Sequence, residues 1–180
     1  VWWTLGNVFN SSIRKNYPRE SHHFLKEYFG NKEIRGAEIG VFYGVNSKWF
    51  FKMLNIRRMY LVDPYLEYED SHDGRKIIHN FDKVKKKASD ILYSWEHEKK
   101  LRWIYETSDE AFAKQYIPDD LDFYLFWGAL ARPQHERRRF KHQGLLFGGG
   151  PTYHPNLQNF DIVFAESKID LEDFQKHGVT

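Results

Sequence analysis

The chain has 180 residues, 41% of them hydrophobic and 18% aromatic, and a formal net charge of +2. That length points to a single domain, residues 1–180, able to bury a core, and the composition excludes a disordered chain despite a mean hydropathy of -0.70. The absence of cysteine excludes disulfides, thiolate metal sites and cysteine nucleophiles, and so small a positive charge does not argue for nucleic acid.

Residues 1–30 read as a helical lead-in, with a short first helix ended by Pro18 and a second capped by Ser21, running through Tyr28 and stopped by Gly30-Asn31. The opening Val1-Trp2-Trp3-Thr4-Leu5 lacks the basic and apolar regions of a secretory signal, and no apolar run approaches the ~18 residues of a membrane span. A cytoplasmic protein without membrane contact is therefore expected. Ile34 to Val41 is a strand, Ser47 to Leu54 a helix stopped by Asn55, and Met59 to Val62 a buried strand closed by Asp63-Pro64. The clearest helical spacing runs from Lys76 to Tyr93, through Ile77, Phe81, Val84, Ala88, Ile91 and Leu92, with Lys83, Lys85, Lys86 and Lys87 facing outward. Leu101 to Tyr105 is a third strand. Ser108 caps a helix to about Tyr116, and Leu121 to Phe126 is a fourth strand. Strands at Leu145–Phe147 and Asp161–Ala165 and a helix from Ser167 to His177 complete the pattern. Strands alternating with helices predict an α/β, Rossmann-like, mostly parallel doubly wound sheet.

Such sheets take ligands at the carboxyl ends of their strands, where the strand order reverses. Two strand ends carry suitable groups. The first is Glu38-Ile39-Gly40-Val41-Phe42-Tyr43-Gly44-Val45-Asn46-Ser47, whose glycines allow a tight turn into a helix N-terminus. The second is Asp63, which follows Gly44 by 19 residues, close to the ~20-residue spacing at which an acid receives ribose hydroxyls. An adenosine-containing cofactor fits both. The turn lacks the Gly-x-Gly-x-x-Gly of a pyrophosphate site, which weighs against NAD, and Glu38 suits a cationic amino group. S-adenosylmethionine has that group and no phosphate. Tyr43 and Tyr65 flank the expected pocket.

Arg35-Gly36-Ala37-Glu38-Ile39-Gly40-Val41, the Leu61-Val62-Asp63-Pro64-Tyr65 strand end, Thr107-Ser108-Asp109-Glu110-Ala111 and Asp119-Asp120-Leu121-Asp122-Phe123 resemble small class I S-adenosylmethionine-dependent methyltransferases. The resemblance covers residues 20–126. It implies that 34–126 form the cofactor-binding half, with Glu38 and Gly40 at the methionine end, Asp63 on the ribose, and Ser108 with Asp109 beside the adenine. Val41, Tyr43, Gly44, Ser47 and Tyr65 complete the expected site. The family then continues with an Asp-Gly-x-His stretch and a later acid that bind metal or handle the substrate proton. Here Trp127 and Leu130 stand in the first stretch, and Gly148-Gly149-Gly150-Pro151-Thr152-Tyr153 carries no carboxylate. Residues 127–180 thus form a divergent half, with little room for the family's final antiparallel strand pair and no assignable base.

The nine histidines match no compact ligand motif such as His-Glu-x-x-His, so no metal site is expected, and they read as solvated. His154 is the one plausible ligand near the fifth-strand glycines. Arg132 to His142 holds five Lys/Arg against one Glu and is the sole support for a nucleic-acid substrate. The expected activity is methyl transfer to an O, N or C nucleophile on a small molecule. The alternative is a cofactor-binding module without catalysis. Neither hydrolase nor NTPase motifs are present, and the oligomeric state is not encoded in any motif.

Overall fold

The computed structural model describes residues 17–69, 76–77, 79–127, 143–146 and 162–164. In chain order the elements are α1 (Glu20–Phe29), β1 (Ile34–Ile39), α2 (Val45–Met53), β2 (Ile56–Val62), β3 (Tyr68–Glu69), β4 (Lys76–Ile77), α3 (Phe81–His97), β5 (Leu101–Ile104), α4 (Ser108–Ala113), β6 (Phe123–Trp127), β7 (Gln143–Leu146) and β8 (Ile162–Phe164). Six strands make one sheet in the order β5-β2-β1-β6-β7-β8, and every pairing within it is parallel. The chain moves from β1 to β2 and β5 on one side, then crosses to β6 on the other side of β1. This is the doubly wound, Rossmann-like arrangement, and its order reverses beside β1.

A parallel strand with helices over both faces needs apolar side chains on both. On one face Ile34, Met59, Leu61, Phe123 and Leu125 pack with Leu25 and Phe29 of α1, Phe50 and Phe51 of α2, and Leu92 of α3. On the other, Ala37, Ile39, Val62, Ile104 and Tyr124 pack with Ala111 and Phe112 of α4. Gly36 is required between β1 and β6, because a Cβ there would lie 2.3 Å from the Phe123 ring. The entry to β6 is stitched to β1 by Asp122, which accepts from Arg35 N–H at 2.9 Å and from Lys32 Nζ at 2.8 Å. Arg35 in turn reaches Asp120.

Several local expectations are corrected. Lys76 and Ile77 are not helical but form β4, antiparallel to β3. The helix begins only at Phe81, because the Asn80 side chain accepts from Lys83 N–H at 3.0 Å and caps it, and it continues to His97. Arg19, not Ser21, precedes α1; Ser21 lies inside the first turn, its hydroxyl buried without a hydrogen-bond partner. Gly44 precedes α2, and Ser47 lies within that helix. Thr107, not Ser108, caps α4: its hydroxyl accepts from Glu110 N–H, and Glu110 reaches back to Thr107 N–H at 3.1 Å. The helix closes at Ala113, short of Tyr116. β7 begins at Gln143, earlier than expected. Residues 1–16, the Arg-rich segment and the helix expected over 167–177 lie outside the described residues. Among those described, no helix is long and apolar enough to cross a membrane.

Candidate functional site

The turn between β1 and α2 bends sharply. Gly40 and Gly44 have φ of 81° and 70°, and Phe42 between them has φ of 52°. Positive φ costs a glycine nothing, but a phenylalanine holds it only where its surroundings impose it. They do so here. Asp63 Oδ2 accepts from the N–H of Val41 at 2.9 Å and of Phe42 at 2.8 Å. The Tyr65 hydroxyl donates to Phe42 carbonyl at 2.9 Å, and Gly40 N–H donates to Val62 carbonyl at 2.9 Å. Asp63 Oδ1 accepts from Tyr65 N–H at 2.9 Å. The end of β2 thus holds the turn after β1 at four points.

Behind this turn lies a buried polar chain. Glu38, 0% exposed, accepts from Asn46 Nδ2 at 2.7 Å on one oxygen and from Ser47 Oγ at 2.5 Å on the other. Asn46 Oδ1 is buried with no hydrogen-bond partner. The Asn46 carbonyl lies 3.2 Å from Nε2 of His22, itself 0% exposed. Nδ1 of that ring faces Arg19 N–H at 2.9 Å. An amide N–H only donates, so Nδ1 is the acceptor and Nε2 carries the proton that goes to Asn46. His22 occupies the third helical position, where a side chain reaches back to cap the helix start.

Burial lowers the His22 imidazole to about 4, aided by the charges of Arg19 and His23 and opposed by its backbone hydrogen bonds. Burial also raises the Asp63 carboxyl, against the pull of the three N–H donors of Phe42, Tyr65 and Val41. The Tyr65 phenol is raised as well, first by burial and then by Asp63 and Glu38.

The structure brings Gly40, Val41, Tyr43, Gly44, Asp63 and Tyr65 together at adjoining strand ends, with Val41 and Tyr65 buried and Tyr43 half-buried. Tyr43 carries Lys87 Nζ 5.0 Å from its ring centre. Glu38 and Ser47 lie beneath the turn rather than on its surface. Gly44 admits α3 rather than a ligand, since a Cβ there would meet Leu92 Cδ1 at 3.1 Å. Ser108 and Asp109 stand on the first turn of α4, after β5, which is bonded to Asp63 through its N–H to Ile104 carbonyl at 3.1 Å. His22, Asn46 and Phe42 escaped sequence reasoning. The histidines were expected to be solvated, and the buried His22 corrects that expectation; Arg19 followed by His22 is not a capping pattern that a sequence displays. Trp127 closes β6, while Leu130, Gly148 to Tyr153 and His154 lie outside the described residues. Among those described, no group of three or more His, Cys, Asp or Glu gathers as for a metal.

No family model and no curated protein matches the sequence. Solved structures similar to it include precorrin-6y C5,15-methyltransferase from Geobacter metallireducens GS-15, at 12% identity and a TM-score of 0.45, covering 78% of this chain and 63% of that one. An rRNA methylase from Streptococcus thermophilus gives 15% and 0.41, covering 71% and 59%. Precorrin 8w decarboxylase from Methanobacterium thermoautotrophicum gives 13% and 0.37, covering 70% and 54%. The chain spans less than two thirds of the length of each. Likeness this distant adds nothing to the strand order about activity.

Proposed function

We propose that this chain binds S-adenosylmethionine at the carboxyl ends of β1, β2 and β5 and serves methyl transfer to a small molecule. The observation that carries the reading is the turn Gly40–Gly44. It lies at the reversal of strand order, ends on the first turn of α2, and is tied to the acid of the neighbouring strand. The residues fit the cofactor at two atoms. Asn46 Oδ1 is an orphaned acceptor beside the turn, suited to an ammonium donor, with Glu38 behind it. A carboxylate oxygen accepts two hydrogen bonds. Asp63 Oδ2 is filled by Val41 and Phe42, whereas Oδ1 takes Tyr65 and keeps one position for a ribose hydroxyl. The resemblance would set Ser108 and Asp109, on the first turn of α4, beside the adenine. When bound, S-adenosylmethionine supplies a methyl group on a sulfonium leaving group. The protein's share is to align the nucleophile and, where that nucleophile carries a proton, to accept it.

Calorimetric titration with S-adenosylhomocysteine tests the reading, with binding and a raised melting temperature expected. Asp63→Ala should weaken binding by roughly 1.5–3 kcal/mol, the worth of one hydrogen bond to a charged acceptor. Unchanged affinity would remove Asp63 from the ribose, and absence of binding by the parent would end the reading. Added Mg²⁺ should leave binding and turnover unaltered, and metal-stimulated transfer would restore an ordinary metal-assisted enzyme. One feature favours a second reading, a binding module without catalysis. Trp127 and Leu130 replace the acid and histidine that the resemblance leads one to expect.

A further inference from the structure

We propose that His22 is a positioning residue of this site, making α1 part of the ligand-binding apparatus rather than a lead-in to it; the inference rests on the cofactor reading above. A buried imidazole is an expensive way to fill a core position, where an apolar side chain would pack without polar groups to satisfy. His22 is 0% exposed and lies 4.5 Å from the Phe50 ring, centre to centre. What the histidine adds is a bond at each nitrogen: Nδ1 fastens the start of α1, and Nε2–H fastens the Asn46 carbonyl in the first turn of α2. That turn presents the Asn46 amide and the Ser47 hydroxyl to Glu38, two residues before Gly40. The line α1–His22–Asn46–Glu38 therefore ends at the glycine turn. Displacing Asn46 displaces both the orphaned Oδ1 and the donor that holds Glu38. Covalent neighbours cannot do this work, because His22 and Asn46 are 24 residues apart in sequence.

Two amide substitutions divide the ring's two bonds. His22→Asn keeps an acceptor near Nδ1 for Arg19 N–H and loses the donor to Asn46. His22→Gln places an amide nitrogen near Nε2 and keeps that donor. In His22→Asn, amide hydrogen exchange should quicken about three- to tenfold over residues 44–48, the effect of one net hydrogen bond, while 59–62 in β2 stay protected. Affinity for S-adenosylhomocysteine should fall by a similar factor, and His22→Gln should restore both. Faster exchange throughout the chain, or equal losses in the two variants, would make His22 a merely structural residue. If the parent fails to bind S-adenosylhomocysteine, the cofactor reading falls, and exchange over 44–48 still decides the positioning role without any ligand. Should either variant not fold, ring-nitrogen NMR of the parent provides the decision. A proton on Nε2 and a bare Nδ1 at neutral pH support the role, and the opposite tautomer overturns it.

Discussion

Glu38 and Asp63 close neighbouring parallel strands, yet the fold uses them in opposite ways. Glu38 reaches forward into its own β–α unit and is met by side chains of the following helix, Asn46 and Ser47, which seal it from water. Asp63 reaches sideways across the sheet and is met by backbone N–H groups of the adjoining turn, leaving it half-buried at the crevice. Side-chain donors enclose an acid, whereas backbone donors hold it by one edge. The first acid is consequently closed off behind the turn, and the second keeps part of its surface open to solvent.

The largest test of this contrast is Glu38→Ala. It leaves two buried donors unsatisfied, at about 1–3 kcal/mol each, so urea denaturation should show a loss of roughly 2–6 kcal/mol. Glu38→Gln keeps one acceptor oxygen and should lose about half as much. A loss within ±0.5 kcal/mol, as for an ordinary surface site, would erase the contrast.

Next comes the acid response of His22. The fold holds the ring neutral, so the unfolded chain binds the extra proton between pH 6.5 and about 4. Stability from this group is complete above 6.5, is lost as pH falls to about 4, and changes no further below. At about 1.4 kcal/mol per pH unit the loss is ~3 kcal/mol. Asp63, raised by burial, contributes in the opposite sense: its share is full below the ordinary 3.8 and declines as pH rises. Denaturation of the parent and His22→Asn at matched pH isolates the histidine, and parallel stability curves would remove it. The smallest effect is that of Tyr65→Phe, which removes one hydroxyl bond to the Phe42 carbonyl and should cost about 0.5–1.5 kcal/mol. A cost as great as that of Glu38→Ala would mean that the sideways ties, not the forward ones, carry the turn.

The strands between residues 34 and 127 were legible because β1, β2, β5 and β6 are short, at least partly apolar segments between turn signals, and the meeting of Gly40, Gly44 and Asp63 was legible because spacing in one chain reflects strand ends that adjoin. Lys76 and Ile77 misled because Ile77, Phe81 and Val84 fit a helical period; a two-residue strand pair has no period to read, and Asn80 was the boundary. The burial of Glu38 was hidden because its partners reach it only once α2 folds over β1. His22 was hidden more completely. Its donor role depends on a carbonyl 24 residues away, and no property of residues 20–24 announces it.

The contact between Gly36 and Phe123 bears on the order of assembly. β2 follows β1 closely in the chain, but β6 is synthesised 87 residues after Gly36 and then becomes the other neighbour of β1. Until it arrives, β1 is an open edge, with unpaired backbone groups and a gap at Gly36. The gap is shaped for an aromatic ring, and Phe123 fills it only when Gly36 and Phe123 stand in register. A nascent chain halted before β6 thus exposes a sticky strand, and the completed chain carries the plug that closes it. The glycine that looks least informative in β1 is a keyhole for the strand made last in this half of the sheet.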